Sequence, residues 1–338
     1  MKFCRISLAA LLAAVLVLPG CKKDSDDTKD YLTGSLSLSL PTYVGAGYTK
    51  TFKVDSLMTL SREDGGTIGY CFKNSITGIY DTLVLADGTI REHYYTLEVP
   101  DTVGNLTLTF AAFTDDDVYY GSSKMATYTV VKPGLDGNGS ITGFTVDQAD
   151  ATFTDPRDGR EYYYTDIDGT DWMRQNLAWE GAGTAYGGCD VMSDIFGRYY
   201  SWKEAKTACP EGWTLPSDED WVALGRKYGT DAASGKDLSG LAGDVMQNLY
   251  FNGTRMWEFW RDVKITDKSR LSVMPSGYVT VSDGRYEYLE IYKYAAFWTS
   301  DSVGDDALLR YIYQDKDIVY RALMSSTDFA ASVRCVRK

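Results

Sequence analysis

The chain has 338 residues, 44% of them hydrophobic and 24% charged, with a formal net charge of −13 and a single histidine. Its length predicts two domains behind a leader. The negative balance excludes nucleic acid, which needs a basic footprint, and excludes docking on anionic lipid through a basic patch. The lone histidine, His93, sits in a strand-like segment, which removes most Ser–His and Cys–His catalytic schemes and any His-rich metal site. Tyrosine is abundant, at 26 residues, and is expected to serve packing first and recognition second.

Taken in chain order, Lys2 and Arg5 precede an apolar run over 6–18 and then Pro19-Gly20-Cys21. So short a run ending in small residues predicts a signal peptide over 1–20 rather than a membrane span. Leu18-Pro19-Gly20-Cys21 resembles a bacterial lipobox, which implies that Cys21 becomes the N-terminus and carries the lipid. Several acyl chains would hold the chain firmly to a membrane, at about 0.8 kcal/mol per buried CH₂. Residues 21–30 are charged and lack apolar side chains, so they predict a solvated tether. Their acidic cluster resembles the surface-export signal of Bacteroidota lipoproteins; the alternative is a plain polar spacer.

Over 31–131, alternating runs at 34–40, 48–54, 67–72, 80–85, 92–99, 106–113 and 126–131 are separated by Asp-Gly, Gly-Asn and Asp-rich turns. Short strands at this spacing predict an all-β, Ig-like sandwich. Cys71 is expected to be a buried thiol serving as a small hydrophobe. The triplet Asp115-Asp116-Asp117 is expected to be a solvated loop, with Ca²⁺ binding the lesser reading. Residues 132–140 have the Gly and Pro content of a linker.

The second domain is expected over 141–338. It opens with Asp155-Pro156-Arg157-Asp158-Gly159 and Asp168-Gly169, which are turn chemistry and predict hairpins. Asp166, Asp168 and Asp171 lack the helical setting of an EF-hand, so the hairpin is preferred over a calcium loop. Ser201 with Glu204 and Ser217 with Asp220 are capping boxes, predicting two successive helices broken by Pro210 and Gly212. A short helix is expected over 241–250. The aromatic run 251–260 reads as core or as a carbohydrate platform, with Trp257 its candidate binding residue, and 283–288 reads as an exposed loop or hairpin carrying Tyr286 and Tyr288.

Across this domain, Trp172-Met173-x-x-Asn176-Leu177, Gly197-Arg198-Tyr199-Tyr200-Ser201-Trp202, Cys209-Pro210-x-Gly212-Trp213-x-Leu215-Pro216-Ser217, Ser276-Gly277-Tyr278, Phe297-Trp298-Thr299-Ser300 and Ser332-Val333-Arg334-Cys335-Val336 follow in order. They resemble the Fibrobacter succinogenes major paralogous domain, a family of secreted and lipid-anchored proteins whose molecular function is largely undefined. The helix pattern Trp-x-x-Ala-x-x-x-Cys leading to Gly-x-x-Leu-Pro also resembles the C-type lectin-like fold. That resemblance implies an α+β C-type lectin-like domain and a disulfide between Cys209 and Cys335. Closing so long a loop is worth roughly 4–5 kcal/mol in the chain-entropy model.

The resemblance also implies absences. The Glu-Pro-Asn and Trp-Asn-Asp elements that hold Ca²⁺ in sugar-binding C-type lectins do not occur, nor does the late cysteine pair of formylglycine-generating enzymes. No metal, no cofactor and no catalytic residue are expected. The leading expectation is a binding or adhesion protein, lipid-anchored in the outer membrane at the cell surface. It would recognise a glycan or a surface protein through loops of the second domain, with Tyr286, Tyr288 and Trp257 as candidates. The alternative is a structural subunit of an appendage or envelope complex.

Overall fold

The structure is a computed structural model describing residues 29–338 apart from 86, 91, 136, 147–149 and 229–230. The leader and the lipid site Cys21 lie outside the described residues. The chain is predominantly β-sheet with a few short helices. It divides into two compact units, one ending at Val130 and the other running from Val131 to Lys338, which also takes in 102–104. Among the described residues no helix is long and apolar enough to cross a membrane.

In the first unit, β1 (Tyr43–Gly45), β7 (Ser122–Val131), β6 (Gly104–Phe113), β3 (Gly69–Asn74) and β4 (Tyr80–Val84) form one sheet in that order. A second sheet pairs β2 (Thr49–Lys53) with β5 (Tyr94–Glu98). Alternation sends Phe52 and Tyr95 from one sheet towards Phe72 and Phe110 from the other, and the Phe72 and Tyr95 rings stack with centroids 4.0 Å apart. Six of the seven expected runs form strands. The seventh, at 34–40, makes only isolated bridges, Leu36 to Met58 and its neighbour Thr33 to Ser61, because its partner is the irregular stretch after β2. Cys71 is fully buried. In the acidic triplet, Asp116 pairs with Arg62 at 2.7 Å and Asp117 with Lys29 at 2.9 Å, so two of the three carboxylates already answer cations.

The second unit holds three larger sheets. The first runs β8 (Ala151–Thr154), β9 (Glu161–Ile167), β10 (Thr170–Met173), β20 (Val336–Arg337). The second runs β11 (Thr184–Ala185), β12 (Arg198–Ser201), β19 (Phe329–Ala331), β14 (Tyr278–Ser282), β15 (Arg285–Leu289). The third runs β13 (Leu238–Ser239), β18 (Ile318–Ser325), β17 (Asp306–Tyr313), β16 (Tyr294–Val303). Strand β16 is buried on both faces as far as Thr299: Ala295 and Phe297 enter a core with Trp172, Trp221 and Trp257, while Ala296 and Trp298 enter another with Tyr200, Trp213 and Phe329. Asp155 and Asp168 sit in the turns of the expected hairpins; Asp168 pairs with Lys227 and Asp171 with Arg337.

After α1 (Ser193–Phe196) come the two capped helices. Both boxes form: Ser201 caps α2 (Trp202–Ala208) with Glu204 returning to its N–H at 2.8 Å, and Ser217 caps α3 (Asp218–Lys227) with Asp220 doing the same at 2.8 Å. Each box satisfies amide donors that the helix start leaves unpaired. Cys209, at the end of α2, is disulfide-bonded to Cys335. The helix expected over 241–250 shrinks to α4 (Ala242–Val245). Met246 turns extended and bridges to Val273, so tertiary pairing overrides local propensity there.

A buried polar knot ties the sheets together. Arg334 is wholly buried and donates from Nε to Asn176 Oδ1 at 2.8 Å and from its terminal nitrogens to the carbonyls of Met173, Arg174, Leu271 and Ser272. Asn176 Nδ2 in turn donates to the Phe196 carbonyl and to Ser276 and Ser332. Beside it Arg174 pairs with Asp150 at 3.0 Å. Asp267 accepts from the Ser272 N–H at 2.8 Å and its hydroxyl at 3.0 Å.

Burial pushes the Asp267 carboxyl up to about 6, against the opposing pull of the Ser272 hydrogen bonds and of Arg174 and Arg334. A carboxyl raised above its ordinary value near 3.8 takes up a proton on folding, so its contribution to stability is full below that value and is lost as pH rises through about 6. Asp267→Asn is therefore expected to gain in melting temperature relative to the parent as pH rises from 4 to 7. Parallel melts across that range check it; a difference that does not change with pH would refute the assignment.

A tyrosine row as candidate functional site

Strands β14, β16, β17, β18 and β19 carry aromatic residues that meet across the sheets. Phe329 stacks on Tyr278 with centroids 5.0 Å apart, Tyr278 meets the edge of Tyr294 at 5.1 Å, Tyr294 stacks on Tyr311 at 4.9 Å, and Tyr311 stacks on Tyr320 at 4.9 Å. The register explains the contacts: Tyr311 lies opposite Tyr320, and Tyr294 opposite Tyr313. Tyr311 and Tyr313, two apart, share a face, while Ile312 and Val319 point the other way into the core.

The row begins buried at Phe329 and comes out half-buried at Tyr311, Tyr313 and Tyr320. There Tyr294, Tyr311, Tyr313, Asp315, Lys316 and Tyr320 line an open groove of about 420 Å³. Burial, and secondarily nearby carboxylates or phenols, raises the Tyr278, Tyr294, Tyr311 and Tyr320 phenols above their ordinary range. At neutral pH they are uncharged O–H groups that both donate and accept. The groove offers ring surface, neutral hydroxyls, one carboxylate and one ammonium.

Gly277 positions the start of this row. It has φ +72°, and a Cβ there would lie 2.1 Å from the Leu289 carbonyl oxygen. Only glycine both tolerates that conformation and lets β14 leave the loop so close to the end of β15.

The residues expected from sequence are placed differently. Trp257 is fully buried, with Nε1 donating to the Val273 carbonyl at 3.0 Å, so it is core and presents no ring face to a ligand. Tyr288 is half-buried against Tyr186 and Tyr199; its hydroxyl bonds Thr184 at 2.7 Å and accepts from the Gly188 N–H at 3.2 Å, which makes it a clamp on the loop after β11. Tyr286 is 55% exposed on β15, apart from these contacts. The structure brings none of the three into the tyrosine row. In the sequence the tyrosines of the row read as packing; their signal is the spacing of Tyr311 and Tyr313 on one strand face.

A larger cleft, of about 820 Å³, lies among 133–146, β9 and α1. Arg160 on its wall is already held by Asp158 at 2.9 Å, Glu180 at 2.6 Å and Asp194 at 2.9 Å. Of its four rings Phe144, Tyr162 and Phe196 are buried, and only Tyr163 is half-buried, tilted against Phe144 with centroids 5.8 Å apart. The tyrosine groove is the better candidate because its rings and hydroxyls are only half-covered. Among the described residues no group of three or more His, Cys, Asp or Glu side chains is arranged to hold a metal ion.

The model of the Fibrobacter succinogenes major domain matches residues 164–337, just over half of the chain. The chain belongs to this family. The matched span of the Fibrobacter succinogenes major domain contains the capped helix pair, the Cys209–Cys335 bond, the Arg334 knot and the whole tyrosine row. No curated protein and no solved structure matches the chain.

Proposed function

We propose that this is a lipid-anchored binding protein of the outer membrane, exposed at the cell surface, that takes a glycan on the tyrosine row. In this reading Cys21 carries the lipid, the N-terminal unit is an Ig-like spacer, and the C-terminal unit is a C-type lectin-like domain that binds without metal, cofactor or chemistry on the ligand. The observation that carries it is the half-exposed run of Tyr294, Tyr311 and Tyr320 beside Asp315 and Lys316. Aromatic surface that also offers hydroxyls suits a sugar, which has apolar C–H faces and a polar rim.

A glycan array probed with the chain lacking residues 1–21 tests it. The Tyr311→Ala, Tyr320→Ala double variant is expected to lose about tenfold or more in affinity, since central aromatic anchors typically contribute about 2 kcal/mol or more. Phenylalanine at both positions keeps the rings and is expected to retain part of the binding. An array without a hit, or a double-alanine variant that folds and binds like the parent, would remove the proposal. The alternative, a structural subunit of a surface assembly, draws on β15, which ends its sheet with Tyr286 exposed. It predicts co-purification with envelope neighbours and no array hit.

A further inference from the structure

Strand β15 is an open edge. It stands last in its sheet and pairs on one side only, with β14. The hairpin turns through Asp283 and Gly284, with φ +50° and +72°, which is the two-residue turn whose flanking pair, Ser282 and Arg285, is hydrogen-bonded. Alternation then commits the backbone groups of Arg285, Glu287 and Leu289 to β14 and turns those of Tyr286 and Tyr288 outward. The far side of β14 agrees: Val281, opposite Tyr286, donates its N–H away from β15, to the Asp328 carbonyl at 2.9 Å. Residues 282–287 are exposed, and no backbone group of the described residues pairs with the outer side of Tyr286. Such an edge is a template for another strand.

The side chains say which strand. Tyr286, 55% exposed, lies across from Val281 on one face, while Arg285 and Glu287 lie across from Ser282 and Thr280 on the other. Both charges are exposed, and among the described residues neither forms an ion pair, whereas Glu290 just beyond pairs with Lys293 at 3.6 Å. Two copies of β15 set antiparallel about a two-fold axis must match outward groups to outward groups. Registers that overlap by three residues or more are then centred on 286, 287 or 288. The longest overlap, centred on 287, sets the two Glu287 carboxylates directly against each other. Centring on 288 sets Glu287 against Leu289. Only centring on Tyr286 sets each Arg285 against Glu287 of the second copy, with the two Tyr286 rings side by side and Tyr288 across from Gly284. The strand is complementary in charge to itself in that one register.

We infer that two copies of the chain pair through β15, antiparallel and centred on Tyr286, so that one sheet runs through both. Backbone hydrogen bonds supply the attraction, and the two Arg285–Glu287 pairs fix the register. A strand pair this short buries less than a standard interface, so the dimer is expected to dissociate at about 100 μM. The pairing does not depend on what the tyrosine row binds.

The test is sedimentation velocity of the chain lacking residues 1–21 over about 5–500 μM, in about 0.15 M salt, which screens the net charge of −13 over long range and leaves close pairs in force. The parent is expected to pass from monomer to dimer across that range. Arg285→Glu and Glu287→Arg each turn two opposite pairs into two like pairs, and each is expected to raise the dissociation constant about tenfold or more. Mixed in equal amounts, the two variants are expected to dimerise with each other as the parent does with itself, and so is the chain carrying both exchanges. Tyr286→Pro removes an N–H that β14 does not use and is expected to leave a folded monomer, with tryptophan emission checking the fold. A parent that stays monomeric throughout, single variants or a folded proline variant that dimerise like the parent, or a mixture that stays monomeric would overturn the inference and leave the glycan-binding reading standing.

Discussion

Replacing Arg334 with methionine is expected to unfold the C-terminal unit at temperatures where the parent is native. The guanidinium is wholly buried, and burial pushes it down to about 9, so at neutral pH it remains charged in the core. Its charge is answered by Asn176 Oδ1 and by four backbone carbonyls drawn from two separate segments, 173–174 and 271–272. Methionine fills much of the volume but donates nothing. The five stranded acceptors, each worth about 1–3 kcal/mol when buried without a partner, predict a loss of about 5 kcal/mol or more. Domains of this kind are stable by only about 5–15 kcal/mol. Lysine is expected to recover only part, because a point charge on a flexible stem cannot serve a fork of carbonyls in fixed directions.

The measurement is direct because all eight tryptophans lie at or after Trp172, so tryptophan fluorescence follows the C-terminal unit alone. If the Arg334→Met variant unfolds in urea together with the parent, the carbonyls are satisfied without the arginine.

That knot also explains what the recurrent motifs are for. Asn176, Ser276, Ser332 and Arg334 come from three separate motifs of the chain and converge on one hydrogen-bonded centre. Phe297, from a fourth, lies under the Arg334 guanidinium at 5.6 Å. Motifs that meet inside the fold describe the scaffold; of their residues Tyr278 also belongs to the tyrosine row.

What can be read from sequence depends on how local the cause is. Ser201 with Glu204 and Ser217 with Asp220 act across three residues, and both boxes form at the expected positions. The hairpins at Gly159 and Gly169 are set by their own turns and also form. The tyrosine row is the opposite case. Its members at 278, 294, 311, 320 and 329 lie on five strands and become neighbours only through register. No window of the chain contains the row, so abundant tyrosine reads as packing. Trp257 and Trp260 stand three residues apart in one aromatic run, yet one is core and the other half-exposed. Composition cannot separate them; the hydrogen bond from Trp257 to Val273 does.

Breaking the Cys209–Cys335 bond is the second large expected effect. The two cysteines are 126 residues apart, and a cross-link over that span restricts the unfolded chain by about 5 kcal/mol in the chain-entropy model. For a unit of this size each kcal/mol moves the melting temperature by about 2–4 °C, so full reduction is expected to lower the tryptophan-monitored transition by about 10–20 °C. The native state has a matching local reason to depend on the bond. It joins the end of α2 to the residue before β20, where the Cys335 carbonyl accepts from the Met173 N–H at 3.0 Å and Val336 and Thr214 exchange backbone hydrogen bonds at 2.8 Å. Losing the tether lets the last strand fray from β10, and Arg334, one residue earlier, loses the support that keeps it buried. Melts with and without dithiothreitol measure the effect, and Cys209→Ala with Cys335→Ala supplies the control, because that variant is expected to melt low and ignore the reductant. A chain produced in a reducing cytoplasm is expected to match the reduced melt, and oxidation is expected to restore it. Equal melting temperatures for the oxidised and reduced chains would mean that the buried contacts around Cys335 hold β20 in place without the bond.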